Sequence, residues 1–167
     1  MLIRKAAPAD AERVGDVDVE AFTNSGFGEA HNLPREAQAR TKRRQRAKGR
    51  CQEHPDLVYV ALADSEIVGF VAMEYDAQKR KGTIANNAVI PAYANQGIST
   101  QLVRCAVGEL KRLGATFIWV GTTLVPAARR VYEKAGFSLS RRERRHGSEW
   151  YYYQIQVDSN YGNNRSG

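Results

Sequence analysis

The segment from Gly82 to Leu113 carries the clearest pattern of apolar and polar positions in the chain. Residues 82–90 end in an apolar, β-branched run, and the following Pro91 cannot donate to a strand ladder. Beyond Gly97, apolar residues recur every three or four positions, which is typical of an amphipathic helix: Ile98, Leu102, Val103, Ala106, Val107, Leu110 and Leu113. The pattern therefore predicts a strand, a tight loop and a helix that ends near Gly114.

The loop that precedes this helix has the character of an anion site. Residues 94–100 include no side chain bulky enough to block a ligand at the first turn. The first N–H groups of a helix are unpaired and the helix dipole is positive there, so a diphosphate would gain several hydrogen bonds. Gly97 would also let the backbone approach closely. Strand–helix crossovers that bind no ligand share this arrangement, so the spacing alone leaves both interpretations open.

Further strands are predicted on both sides of this segment by their alternation and β-branched content. They lie at residues 2–6, 57–62, 66–75 and 115–120, with a final antiparallel pair at 137–139 and 149–157 that is bridged by the charged residues 141–145. Because a helix connects the strand at 82–90 to the strand at 115–120, these two should pair in parallel. The remaining neighbours should be antiparallel, so the sequence predicts a mixed α+β fold.

Two more helices have an apolar face. One begins at Pro8 and is predicted to bury Val14, Val17, Ala21 and Phe22, and another begins at Pro126 and ends at Gly136. On the first, Glu12, Asp16 and Glu20 lie four residues apart and predict a solvated face. We expect a single domain over residues 1–157 and a disordered tail at 158–167, which has almost no apolar content.

Positive charge is concentrated between Arg35 and Arg50. This segment holds eight of the 25 basic residues and one of the 18 acidic residues, so it accounts for the whole net charge of +7. Its first part is helical by propensity, but Ala37, Ala39 and Ala47 are its only apolar side chains. We therefore expect a weakly anchored helix.

Composition provides no support for a metal site or a membrane span. His31, His54 and His146 are scattered, and Cys51 and Cys105 lack the spacing of metal ligands, so no metal site is predicted. Both thiols are expected to be reduced and structural. No apolar run approaches the length of a membrane-spanning helix or a signal peptide, which predicts a soluble, cytoplasmic protein.

Two stretches of the sequence resemble motifs of one known family, the GNAT superfamily of acetyl-CoA-dependent N-acyltransferases. The first is a strand that ends in Val-x-Pro, followed by Arg or Gln, two residues, Gly, one residue and a small residue; Val89, Pro91, Gly97 and Ser99 match it, whereas Ala94 replaces the Arg or Gln. The second motif, Ala-x-x-x-Tyr-Glu-Lys-x-Gly-Phe, is complete at residues 128–137. The resemblance covers roughly residues 1–157.

This resemblance implies a mostly antiparallel sheet, splayed near Val89, into which acetyl-CoA inserts. The implied cofactor-binding residues are the backbone of the strand and the loop before the helix: Asn87, Ala88, Val89, Asn95, Gln96, Gly97, Ile98, Ser99 and Thr100. The implied reaction is acetylation of a primary amine on a small molecule or a protein. A homodimer is left open.

The resemblance also implies catalytic groups. Tyr132 of the second motif would donate a proton to the leaving thiolate, which a phenol can do. Many relatives place a Glu close before Val-x-Pro, but Asn86 and Asn87 stand there, and an amide cannot be a general base. Either Glu74 or ordered water would take the proton of the amine. Val125 replaces a common Asn of the family, so Thr122 or Thr123 would make the polar cofactor contact in its place.

A second hypothesis is a non-catalytic module that binds nucleic acid through residues 35–50. Clustered cations can contact phosphates along a groove. However, no aromatic residue interleaves the cations and no recognition-helix motif is present, so a solvated face or an acceptor cap is favoured. The aromatic run from Trp150 to Tyr153 is predicted to form core and acceptor-site wall.

Overall fold

A computed structural model describes residues 1–23, 37–123, 126–145 and 147–157. The strands are β1 (Leu2–Lys5), β2 (Val58–Ala63), β3 (Glu66–Asp76), β4 (Lys81–Val89), β5 (Phe117–Thr123), β6 (Ser138–Arg145) and β7 (Ser148–Gln156). The helices are α1 (Ala11–Thr23), α2 (Ala37–Glu53), α3 (Ile98–Arg112) and α4 (Pro126–Lys134). None of these helices has the length and apolar content that crossing a membrane requires. The predicted loop at 23–34, the tail at 158–167, and His31, Val125 and His146 lie outside the described residues, apart from Thr23 at the end of α1.

One seven-stranded sheet runs in the order β1-β2-β3-β4-β5-β7-β6. Every neighbouring pair is antiparallel except β4 and β5, which are parallel because α3 connects them. The β4–β5 pairing is short: Lys81, Gly82 and Thr83 pair with Phe117, Ile118 and Trp119, and the two strands then separate. The predicted mixed α+β fold with a splayed, mostly antiparallel sheet is confirmed.

A β-bulge in β4 lies immediately beyond its last contact with β5. The consecutive β3 residues Met73 and Ala72 pair with Ile84 and Asn86 of β4, so Ala85 of β4 has no partner on β3. A bulge bends its strand and increases the local twist. The bulge therefore explains why β4 turns away from β5 at this point.

The two faces of the sheet are covered by different helices. On one face, α3 packs so closely that a Cβ added to Gly82 would lie 2.8 Å from Leu110 Cδ1. On the other face, Val14 and Val17 of α1 are fully buried, and α2 packs against α1. The core thus lies between the sheet and α3 on one side and between the sheet and α1 on the other.

The structure corrects the prediction that residues 141–145 bridge the last two strands. They belong to β6, which pairs with β7 along its whole length. The strand is at the sheet edge and exposed, and two of its arginines lie over tyrosine rings of β7: Arg141 over Tyr152 at 4.3 Å and Arg142 over Tyr151 at 5.4 Å. Consecutive arginines can therefore form a strand here, because their side chains point to alternate faces and each face of β7 offers a tyrosine ring.

The prediction that the basic helix is weakly anchored was also wrong. Four cations of α2 form ion pairs with other elements: Arg43 with Asp18, Arg44 with Glu12 and Asp16, Lys48 with Glu12, and Arg50 with Glu74. Glu12 and Asp16 of α1 are exposed, as expected of a solvated face, but they are also docking partners of α2. These ion pairs, together with the buried side chains of Ala47 and Cys51, anchor α2.

Candidate active site

The separation of β4 and β5 creates an opening in the middle of the sheet. Asn87, Ala88 and Val89 lie on its β4 edge, beyond the last residue that pairs with β5. Asn87 Nδ2 lies 3.4 Å from Ser99 Oγ, so this edge is joined to the first turn of α3. Asn87 Oδ1 is buried and has no hydrogen-bond partner among the described residues. The opening therefore contains an acceptor atom that needs a donor.

The first turn of α3 lies beside this opening and leaves its backbone amides available. Gly97 is the N-cap residue, with φ of +81°, and makes no side-chain cap. Gln101 N–H donates to Gly97 C=O at 3.1 Å, so the amides of Ile98, Ser99 and Thr100 precede the helical ladder. A Cβ added to Gly97 would meet nothing within 4 Å. A turn with free amides and open space above a left-handed glycine fits a diphosphate.

Tyr132 lies in α4, on the same side of the sheet as α3. Its side chain is buried, packs edge-on against Phe137 at 5.8 Å between ring centroids, and lies 6.2 Å from the ring of Tyr153. Burial raises the pKa of Tyr132 to about 12. The hydroxyl makes no hydrogen bond to a described residue, and it is protonated at neutral pH. It is therefore a donor without an acceptor.

The second predicted catalytic residue, Glu74, lies on the opposite face of the sheet, and the structure does not bring it together with Tyr132. Its Oε1 accepts a hydrogen bond from Arg50 Nη2 at 2.7 Å, and 58% of its side chain is exposed. Glu74 is in β3 and pairs with Thr83 of β4, which is the last β4 residue that pairs with β5. Glu74 is thus at the closed end of the opening, on the side covered by α1 and α2.

Thr122 and Thr123 lie on β5, across the opening from β4. Both are partly buried, and Thr122 Oγ1 donates to the carbonyl of Thr123 at 3.2 Å. Their predicted cofactor contact stays a prediction.

One buried carboxylate near the opening was missed by the sequence analysis. Asp18 of α1 is 1% exposed, and its Oδ1 accepts a hydrogen bond from Asn86 Nδ2 at 2.9 Å. Burial raises the pKa of Asp18, against the opposing effects of Arg43 and Asn86. A signal was present, because Asp18 lies four residues after Val14 and hence on the apolar face of α1, away from the row of Glu12 and Asp16.

A sequence model of the acetyltransferase (GNAT) family matches residues 20–137, which include both motifs. The chain belongs to this family. Its sequence is 34% identical over 83 residues to a streptothricin acetyltransferase of Streptomyces lavendulae, covering 48% of this chain and 44% of that protein. It is 32% identical over 92 residues to N-alpha-acetyltransferase 30 of Schizosaccharomyces pombe, covering 53% of this chain and 61% of that protein. The chain thus matches about half the length of these curated relatives.

The family fold is also seen in solved structures. PaiA N-acetyltransferase of Thermoplasma acidophilum, solved in complex with coenzyme A, superposes with a TM-score of 0.75 at 19% identity, covering 93% of this chain and 98% of that one. Family membership confirms the resemblance on which the splayed opening was predicted. No comparison supports the nucleic-acid hypothesis, and four of the cations it needs are paired within the protein.

Proposed function

We propose that the chain is an acetyl-CoA-dependent N-acetyltransferase whose acceptor is a primary amine of a small molecule or a protein. The proposal rests on one observation above all: the opening between β4 and β5 meets the uncapped first turn of α3. Family membership and the coenzyme A bound by PaiA N-acetyltransferase support it. One curated relative is named for streptothricin and the other as an N-alpha-acetyltransferase, so their names do not select one acceptor for this chain.

The residues of the opening fit the chemical groups of acetyl-CoA. The amides of Ile98, Ser99 and Thr100 would hold the diphosphate, with Asn95, Gln96 and Gly97 forming the approach to the helix. The orphan Oδ1 of Asn87 would accept from an amide N–H of the pantetheine arm. The backbone of Ala88 and Val89 has no β5 partner and would pair with the same arm.

Acetyl-CoA supplies an acetyl thioester, and the protein has to orient it and stabilise the sulfur that leaves. Tyr132 is the donor we assign to the sulfur. Because its pKa is about 12, well above the ~8.5 of an ordinary thiol, complete proton transfer to a thiolate would be unfavourable. Its contribution is then a hydrogen bond to the developing negative charge, with the proton retained on the phenol.

The amine would approach from the face covered by α1 and α2, because α3 and α4 occupy the face where the thioester enters. Two acceptors for its proton remain in this proposal, Glu74 and an ordered water. Glu74 is on the appropriate face but pairs with Arg50. Glu74→Gln separates the two, since it should lower kcat only if the carboxylate itself takes the proton.

Binding of acetyl-CoA and release of its thiol test the function. A ligand that binds only the folded state adds about 2.7 kcal/mol of stability at 100 times its Kd, so acetyl-CoA should raise Tm measurably. A panel of amines, including amino acids, polyamines and peptides with free N-termini, should identify an acceptor by thiol release. The proposal would be refuted if acetyl-CoA did not stabilise the protein and no amine in the panel released thiol from it.

A further inference from the structure

Asp18 is the most deeply buried charged residue that the structure describes. It is 1% exposed, whereas Glu109, the next most buried, is 7% exposed and lies at the end of α3 beside two exposed cations. Taking a carboxylate out of water is costly unless its partners compensate, and buried ion pairs often add little net stability. The identity of its partners is therefore informative.

The carboxylate of Asp18 joins two other elements. Arg43 Nη2 of α2 donates to Oδ1 at 3.2 Å, and Arg43 Nε lies 3.1 Å from Oδ2 without hydrogen-bond alignment. Arg43 is also fixed by Phe22, whose ring centroid lies 3.7 Å from the guanidinium carbon. On the other side, Asn86 Nδ2 of β4 donates to the same Oδ1 at 2.9 Å. A continuous chain of contacts thus runs from α2 through α1 to β4.

Asn86 occupies the one part of β4 that lacks a strand on its β5 side. The last β4–β5 pair is Thr83 with Trp119, and the bulge at Ala85 separates that pair from Asn86. Backbone pairing to β3 alone holds this segment in the sheet, so its side-chain contacts have more influence on its position. The next residues, Asn87, Ala88 and Val89, are those assigned above to the cofactor arm.

The other ion pairs between α1 and α2 have a different character. Arg44 and Lys48 pair with Glu12 and Asp16, whose side chains are 59% and 47% exposed. These pairs hold the two helices together at the surface and do not reach the sheet. Docking of α2 on α1 therefore does not require a buried carboxylate. Unlike these surface pairs, the Asp18 network reaches the sheet at Asn86.

We propose that Asp18 is a positioning residue that couples α2 to the open edge of β4. Through Asp18, the position of Arg43 sets the orientation of Asn86 and the alignment of the backbone that would receive acetyl-CoA. The inference rests on the proposed function. Because coupling between sites is reciprocal, an acceptor that displaces α2 would change the affinity for acetyl-CoA, and acetyl-CoA would change the affinity for the acceptor equally.

The test measures acetyl-CoA affinity by calorimetry in variants at the two ends of this chain of contacts, Arg43 on α2 and Asn86 on β4. Arg43→Met keeps the side-chain length over Phe22 and removes the charge, and Asn86→Ala removes the last link of the chain. Each should raise the Kd for acetyl-CoA about tenfold, within the usual range of coupling energies. The double variant should be no weaker than Asn86→Ala alone, because both changes interrupt the same path.

Arg44→Gln is the matched control, since it removes two ion pairs between α1 and α2, with Glu12 and Asp16, that do not touch the sheet. It should lower Tm slightly and leave the Kd unchanged. If folded Arg43→Met binds acetyl-CoA like the wild type, whatever its Tm, the Asp18 network is only structural and the inference is wrong. If the wild type itself does not bind acetyl-CoA, the proposed function fails first, so the two failures are distinguishable.

Discussion

Substitution of Gly97 should affect the Kd for acetyl-CoA more than it affects the stability of the fold. Its φ of +81° lies in the left-handed region, and an added Cβ would meet nothing within 4 Å. Gly97→Ala therefore causes backbone strain without a clash inside the protein. A non-glycine residue in this conformation costs about 1–2 kcal/mol, which corresponds to roughly 2–8 °C in Tm for a chain of this size.

The effect on acetyl-CoA should be larger than the effect on stability. The open space above Gly97 is where we place the diphosphate, and a methyl group there would hold the phosphate away from the amides of Ile98 and Ser99. Losing one hydrogen bond to a charged group costs about 1.5–3 kcal/mol, so the Kd should rise between about tenfold and 150-fold. Calorimetry with acetyl-CoA measures this directly, and thermal unfolding measures the strain.

Gly108 provides the matched control on the same helix. It also has free space for a Cβ, but it lies in the interior of α3, where its φ is not positive. Gly108→Ala should stabilise the protein by about 0.8–1 kcal/mol and leave acetyl-CoA affinity unchanged. Wild-type affinity in folded Gly97→Ala would show that the diphosphate lies elsewhere, and equal losses in both variants would show that the effect is not local.

Two further predictions concern a catalytic donor and a pH dependence. Tyr132→Phe keeps the packing against Phe137 and should lower kcat by about 10²-fold without changing the Kd for acetyl-CoA; steady-state kinetics and calorimetry check this, and an unchanged kcat would leave Tyr132 with a packing role only. Glu109 accepts hydrogen bonds from Arg112 and Lys5, which lower its pKa from 4.5 to about 2, so its contribution to stability is present above pH 4.5 and is lost as the pH falls towards 2. Glu109→Gln should lower Tm by roughly 2–8 °C at pH 7, or about 1–2 kcal/mol after allowance for the exposed partners, and by much less near pH 2; a difference that is the same at both pH values would contradict the assignment.

The sequence predicted the central strands and α3 closely because their apolar positions follow one period each. The predicted hairpin at 57–62 and 66–75 corresponds to β2 and β3, and the predicted helix after Gly97 corresponds to α3. Half of β6 was missed because its residues are charged and show no apolar period. Its partners are aromatic rings of β7, and a cross-strand partner is not visible within the strand itself.

The contacts of the candidate site were also predictable only where they depend on residues close together in sequence. The motif around Gly97 predicts an anion site from local requirements, and the structure has a left-handed glycine and an uncapped first turn there. The Asp18–Arg43–Asn86 network joins three elements that are far apart in sequence, 25 residues and 68 residues for its two hydrogen bonds. Periodicity could have placed Asp18 on a buried face, but only the packed structure shows which cation and which amide it contacts.

The short junction of β4 and β5 has a mechanical consequence for the whole molecule. Three residue pairs are the only strand ladder, among the described residues, between β1–β4 and β5–β7. Contacts of α3 with α4, including the hydrogen bond from Arg104 Nη2 to the carbonyl of Lys134 at 2.8 Å, are a second connection. A ligand seated in the opening would replace the missing ladder and join the two halves, so that they unfold in one cooperative step.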